Sequence, residues 1–179
     1  MASINDFKSA ISLGGGLAMQ NRYRVQFGFP AGIVPAGDAD AGRQFNFLCE
    51  SATIPAIIIS TFEYQAQKQA YKVANGYAQD EVSFTMLLTN DYLAKTVFDS
   101  WASAIVDFNS YRMNYRKDYA ANVEIIQMAI GPKDSGEDTP VYGVTLFNAF
   151  PTNVSAITLE NTAENSVQRL SVSMAYERF

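Results

Sequence analysis

The sequence predicts a mainly β fold of two packed antiparallel sheets, forming a sandwich or barrel, with one flanking α-helix over about 91–108. Three observations predict it. Several segments alternate apolar and polar residues with period two, the mark of strands with one buried face. Only one stretch, Asp91 to Phe108, carries a long helical stripe. Gly- and Pro-rich punctuation recurs between the segments.

In chain order, Ile4 to Leu13 reads as a short amphipathic arm, hinged by Gly14–Gly16. Tyr23, Val25, Phe27 and Phe29 then share one face of a first strand, with Arg22, Arg24 and Gln26 on the other. Ala31 to Gly42 holds one proline and three glycines and reads as a turn-rich connection. The β-branched and aromatic content of Phe45–Ala52 and Ile57–Tyr64 suits strands, and Asn75–Gly76 suits a tight turn. Val82, Phe84 and Met86 alternate with Ser83 and Thr85. Leu93, Val97, Trp101, Ala104, Ile105 and Phe108 form the helical stripe, and Thr89, Asn90 and Asp91 supply cap chemistry at its start. Strands follow at Val123–Ile130, Val141–Phe147 and Val154–Glu160, with a charged turn at Gly131–Pro140. Leu170, Val172, Met174 and Tyr176 alternate with small residues in the last strand. Residues 1–16 therefore read as an arm and 17–179 as a single β domain.

Composition narrows the function. The chain has 179 residues and no histidine, which removes His-based triads, proton shuttles and metal ligands. One cysteine, Cys49, supplies neither an internal disulfide nor a Cys-only zinc site, and reads as a buried strand residue. The net charge of -5 and a pI near 4.7 argue against a general nucleic-acid binder, which needs a positive footprint. No run approaches the ~20 apolar residues of a membrane helix, so no membrane insertion is expected. Charged residues make up 17%, against a usual value of roughly 25%, while Tyr and Phe number 10 and 12. A surface poor in charge and rich in aromatics suits one covered by a partner.

Local motifs add little chemistry. Gly14–Gly16 lacks the strand before it and the Gly-Lys-Ser/Thr after it that a phosphate loop needs. Tyr111, Arg112, Tyr115, Arg116, Lys117 and Tyr119 interleave rings and cations as a single-strand stacking surface does. The patch is short and the rest of the chain acidic, so contacts between subunits or within the core are the expected role. Asp80–Glu81 point to opposite faces of a strand, and Glu160 and Glu164 flank a turn, so no carboxylate pair is framed for acid–base work. No catalytic residue, cofactor or metal site is expected, and the chain reads as non-enzymatic.

Ordered short motifs give a resemblance. Leu48–Cys49–Glu50–Ser51–Ala52–Thr53–Ile54–Pro55 precedes Tyr71–Lys72–Val73–Ala74 and Val82–Ser83–Phe84–Thr85. Phe98 and Trp101 follow, then Tyr111–Arg112 and Tyr115–Arg116. Ala149–Phe150–Pro151–Thr152–Asn153–Val154, Ile157 and Leu159, and Leu170–Ser171–Val172–Ser173–Met174–Ala175–Tyr176 close the series. From roughly Asn21 onward the chain resembles the tail tube proteins of contractile-tailed bacteriophages, whose fold is shared with the type VI secretion tube protein. The resemblance implies a virion protein made in the bacterial host cytoplasm. It implies hexameric rings stacked into a hollow tube, with sheath and baseplate proteins as partners and DNA passing through the lumen without specific binding. On that footing Ser83, Thr85, Ser171 and Ser173 are expected to face the lumen. Phe7 and Ile11 of the arm, with Tyr64, Gln65 and Tyr71 of the Ile57–Asp80 stretch, are expected at the contacts between rings. A baseplate tube initiator or a secretion- or injection-system tube subunit is the alternative within the same class. A carbohydrate- or nucleic-acid-binding β domain is the alternative outside it.

Overall fold

The computed structural model describes residues 3–33, 39–66, 69–129, 138–161 and 166–179. They form two compact units, one of Met1–Arg24 with Ile126–Gly143, the other of Val25–Ile125 with Val144–Phe179.

The first unit contains helix α1 (Ile4–Leu13). Its start is fixed by a reciprocal capping box: the Asp6 amide donates to Ser3 Oγ at 3.3 Å, and the Ser3 amide donates to Asp6 Oδ2 at 2.8 Å. None of its side chains is buried, and Ile4, Phe7 and Ile11 share one face. Gly15 and Gly16, with φ of 76° and 107°, follow it in a backbone region that disfavours side chains. In the same unit Arg22 pairs with Asp138, and Gln127 Nε2 donates to the Met19 carbonyl at 2.8 Å.

The second unit holds the core. Strand β1 (Tyr23–Phe27), helix α2 (Ala39–Phe47), β2 (Cys49–Ala52), the hairpin β3 (Ile57–Ala66) and β4 (Gln69–Gln79), and β5 (Val82–Leu87) come first. Helix α3 (Leu93–Ile105), the short pair β6 (Val106–Asp107) and β7 (Arg112–Met113), and α4 (Arg116–Tyr119) follow. Strands β8 (Ala121–Ala129), β9 (Thr139–Val154) and β10 (Arg169–Ala175) complete the chain, and the unit boundary falls within β1, β8 and β9. One six-stranded sheet runs β1-β8-β9-β10-β5-β2, with β3–β4 and β6–β7 as separate two-stranded sheets.

The expected mainly β, antiparallel fold with a flanking helix is the one observed. Among the described residues the sheet is open, not a closed barrel, and ends in β1 and β2. One face of the sheet supplies the apolar layer. Val82, Phe84 and Met86 on β5 and Leu170, Val172 and Met174 on β10 are all buried. Ala94, Val97, Phe98, Trp101 and Ile105 form the buried stripe of α3. Phe27 lies edge-on to Phe45, Phe84 and Phe98, with centroids at 5.2, 5.1 and 6.2 Å, a preferred aromatic geometry. Trp101 Nε1 donates to the Tyr119 carbonyl at 2.7 Å, so the one buried indole is satisfied.

Several boundaries differ from the sequence expectation, each for a physical reason. Phe45–Ala52 is not one strand: Phe45 and Phe47 end helix α2, and only Cys49–Ala52 extends. Helical spacing lets Phe45 enter the core and leaves Phe47 exposed. Asn75–Gly76 lies inside β4, where Ser60 pairs with Gly76 and Thr61 with Ala74, so Asn75 is the extra residue of a bulge. The stretch to Asp80 is a single long hairpin paired down to Ala66 and Gln69. Val154–Glu160 is no separate strand, because β9 continues from Thr139 to Val154 and ends there. Helix α3 is shorter than 91–108, since Val106 turns extended and begins β6. Its cap is Tyr92 in a left-handed conformation, and the Asp91 carboxylate accepts the Leu93 amide at 3.3 Å, the cap chemistry expected of Asp91. Most of the expected Gly131–Pro140 turn lies outside the described residues.

Candidate functional site: a hydroxyl-bearing sheet face and a projecting hairpin

The sheet has a second face. On β10 and β5 the register places Ser171 opposite Thr85 and Ser173 opposite Ser83. The four hydroxyl residues expected from sequence thus form one block, on the side away from the buried Val82–Met174 layer. The register also adds Ser51, opposite Thr85 on β2, and Asn153, opposite Ser173 on β9.

Side chains around the block complete the strand hydrogen bonding. Ser83 N donates to Thr53 Oγ1 at 2.9 Å, and Thr53 N donates to the Ser83 carbonyl at 3.0 Å. Ser171 N donates to Ser155 Oγ at 2.9 Å, and Ser155 N returns to the Ser171 carbonyl at 2.8 Å. Thr152 Oγ1 donates to the Ser173 carbonyl at 3.1 Å, beside the register shift at Ser173/Met174. Backbone polar groups at the ends of the ladders are therefore met without charged residues.

One charged pair stands at the end of this face. Arg169 Nε donates to Glu50 Oε2 at 2.5 Å, and Nη2 to Oε1 at 2.9 Å, a bidentate pair. The hydrogen bond from Arg169 holds the Glu50 carboxyl below its ordinary range, and its charge acts the same way. On the neighbouring position Cys49 Sγ donates to the Ser51 carbonyl at 3.3 Å. Burial pushes the Cys49 thiol up to about 12, with the hydrogen bond acting in the opposite sense. Cys49 stands on a strand as expected, but it is half-buried and not buried.

The second feature is the β3–β4 hairpin. From Ile57 to Gln65 every side chain is exposed, and from Ala70 to Ala78 only Val73 is half-buried. Ile59 and Tyr77 are 62% and 70% exposed, values far from a core position. Tyr64 and Tyr71 are cross-strand partners with ring centroids 5.3 Å apart. Gln65 pairs with Ala70 and lies on the opposite face. Near its tip the hairpin is one-sided: Phe62, Tyr64, Tyr71 and Val73 share one face, and Thr61, Glu63, Gln65 and Lys72 the other. Near its base both faces are apolar, with Ile58 on the first and Ile57, Ile59 and Tyr77 on the second. The other two expected contact residues, Phe7 and Ile11, lie on α1 in the first unit.

Sequence reasoning missed the Glu50–Arg169 pair, because 119 residues separate the partners. It also missed the exposure of the segment after α3, where Phe108, Tyr111, Met113 and Tyr115 are all exposed. Arg116 in that segment contacts Glu177 at 3.8 Å and the Phe150 ring at 5.8 Å, a mostly structural engagement.

No curated protein matches the chain in sequence. In fold it is similar to a chain of the sheath–tube complex of an extracellular contractile injection system (PVC) in the extended state. The TM-score there is 0.61 at 18% identity, covering 95% of this chain and 93% of that one. It is similar also to a chain in the anti-feeding prophage (AFP) baseplate, with TM-score 0.61 at 15% identity over 90% and 92% of the two chains. A chain from the PVC sheath/tube terminator gives TM-score 0.60 at 16% identity over 90% and 94%. The sequence pattern of the phage tail tube proteins matches residues 18–179, nearly the whole chain. An open antiparallel sheet carrying a projecting hairpin, under a family match of that extent, makes the chain a member of the phage tail tube protein family, with a structural role in a tail tube.

Proposed function

We propose that six copies of this chain close into a ring and that the rings stack into the hollow inner tube of a contractile tail, the conduit for genome delivery. The observation that carries this reading is the β3–β4 hairpin. A lone two-stranded hairpin is marginal in water, and this one leaves Ile57, Ile58, Ile59, Phe62, Tyr64, Tyr71 and Tyr77 exposed. Covering them contributes roughly 25 cal/mol for each Å² of apolar surface removed from water. A neighbouring copy in the next ring supplies that cover, with the α1 stripe of Phe7 and Ile11 as a second contact. The outer strands of the sheet among the described residues, β1 and β2, suit pairing between neighbours within a ring, which removes the edge liability.

The hydroxyl block of Ser83, Thr85, Ser171 and Ser173 faces the lumen in this reading. Hydroxyls offer hydrogen bonds without fixed positive charge, so phosphates pass without being held. Assembly takes place in the host cytoplasm, where sheath and baseplate proteins complete the tail. The chain acts by shape and contact, with no catalytic step.

Negative-stain microscopy of the purified chain tests the reading. Long hollow tubes with six subunits per ring are expected. Isolated rings that never lengthen point instead to a tube initiator, and a permanently monomeric chain overturns the proposal.

A further inference from the structure

We infer that Tyr176 and Asp80 form a latch at the root of the β3–β4 hairpin, open in the lone subunit and closed when the hairpin seats on a neighbouring copy. The inference rests on the reading of the hairpin as an intersubunit contact.

The β10–β5 ladder pairs Arg169 with Leu87 through to Met174 with Val82. Continued by two residues, the same register sets Tyr176 opposite Asp80. Tyr176 lies just beyond β10, its ring held against Phe179 at a centroid distance of 6.0 Å. Among the described residues its Oη is buried and has no hydrogen-bond partner. Buried hydroxyls are satisfied as a rule, so an orphan one marks a group whose partner is supplied elsewhere.

Asp80 is that partner. Its carboxylate acts on Tyr176 through space, adding to the burial that raises the phenol, yet no hydrogen bond joins them. Asp80 directly follows Gln79, the last residue of β4, and is exposed. A reorientation of β4 on seating therefore carries the Asp80 carboxylate directly. A phenol O–H donating to a carboxylate is a charge-assisted bond, the strong class of side-chain hydrogen bond.

The test compares Tyr176→Phe and Asp80→Asn with the parent chain in two measurements. One is urea unfolding of the monomer below the assembly threshold. The other is the polymerisation threshold, read by light scattering and microscopy. Tyr176→Phe is expected to leave the monomer midpoint unchanged or higher, while raising the threshold about tenfold, the scale of one lost hydrogen bond to a charged group. Asp80→Asn, which keeps an oxygen acceptor and loses its charge, should raise it by a smaller factor, and the double variant no further than Tyr176→Phe alone. A Tyr176→Phe monomer that unfolds at lower urea overturns the inference, because the hydroxyl was then already satisfied. So does a threshold equal to the parent's. A parent chain that never polymerises removes the hairpin reading itself, an outcome distinct from either.

Discussion

Arg169 on β10 reaches Glu50 on β2 across the intervening β5, its guanidinium fork meeting both carboxylate oxygens at 2.5 and 2.9 Å. The pair ties three strands together and cancels the Arg169 charge at the end of the hydroxyl face. Both partners remain partly exposed, so its worth to stability is small. Its effect on charge is the larger consequence. If the hydroxyl face lines a lumen, Glu50→Gln frees a positive charge beside it. Tubes of that variant should retain a fluorescent single-stranded oligonucleotide at low salt, in a salt-dependent way. Polarisation values equal to the parent's would count against the lumen placement.

The same pair sets a pH dependence. Glu50 is held below its ordinary value in the folded chain, so its contribution is present above the unfolded value of 4.5. It is lost as the pH falls through the lower folded value. Urea midpoints of the parent and of Glu50→Gln, compared at pH 7 and at pH 3, should differ more at pH 7. An equal difference at both would refute the assignment.

Cys49 offers a probe of the same strand. With its thiol pushed up to about 12, the folded chain holds almost no thiolate at pH 8. Alkylation by iodoacetamide should be slow in the native protein and fast in urea, followed by mass spectrometry. The linkage has the opposite sign to that of Glu50: the protonated thiol favours the folded state, and this contribution falls away above about pH 9. Rapid native labelling at pH 8 would show that β2 opens.

Core and hairpin residues should separate stability from assembly. Phe84→Ala removes a fully buried ring and is expected to cost about 3–5 kcal/mol in urea unfolding. Tyr71→Ala removes a ring that is half exposed in the lone subunit. It should change monomer stability by less than about 1 kcal/mol and yet abolish tubes under the microscope. Normal tubes from Tyr71→Ala would argue that the hairpin tip is free in the assembly.

Cysteines placed at Ser171 and Ser173 test the lumen directly in a Cys49→Ala background. A bulky maleimide added outside intact tubes should label neither, whereas dissociated subunits should react at both. Labelling of intact tubes along their length would place the hydroxyl face outside.

The strands with a single buried face were the legible part of the sequence. Alternation on β5 and β10 follows directly from the pleat, so Val82–Met86 and Leu170–Met174 announced both the strand and its inner side. Their mutual register did not, because nothing local says that Ser171 meets Thr85. Phe45 misled for a related reason: an aromatic residue suits a strand and a core-facing helical turn equally, and only contact with Phe27 and Phe98 decides. Asn75–Gly76 misled because the same dipeptide serves a tight turn and a bulge. The hairpin's aromatic residues were legible as surface without cover, and their division between two faces was not.

That division hangs on Asn75. Tyr71, Val73 and Tyr77 are all odd-numbered and would share one side of an unbroken strand. The extra residue moves Tyr77 to the side opposite Tyr71 and Val73. Deleting Asn75 therefore inverts nothing: Ala74 and Gly76 become neighbours, still opposite Thr61 and Ser60, and Tyr77 keeps its side. Drawing Asn75 into the ladder is the inversion, one that turns Tyr77 over to join Tyr71 and Val73 while leaving composition, charge and length unaltered.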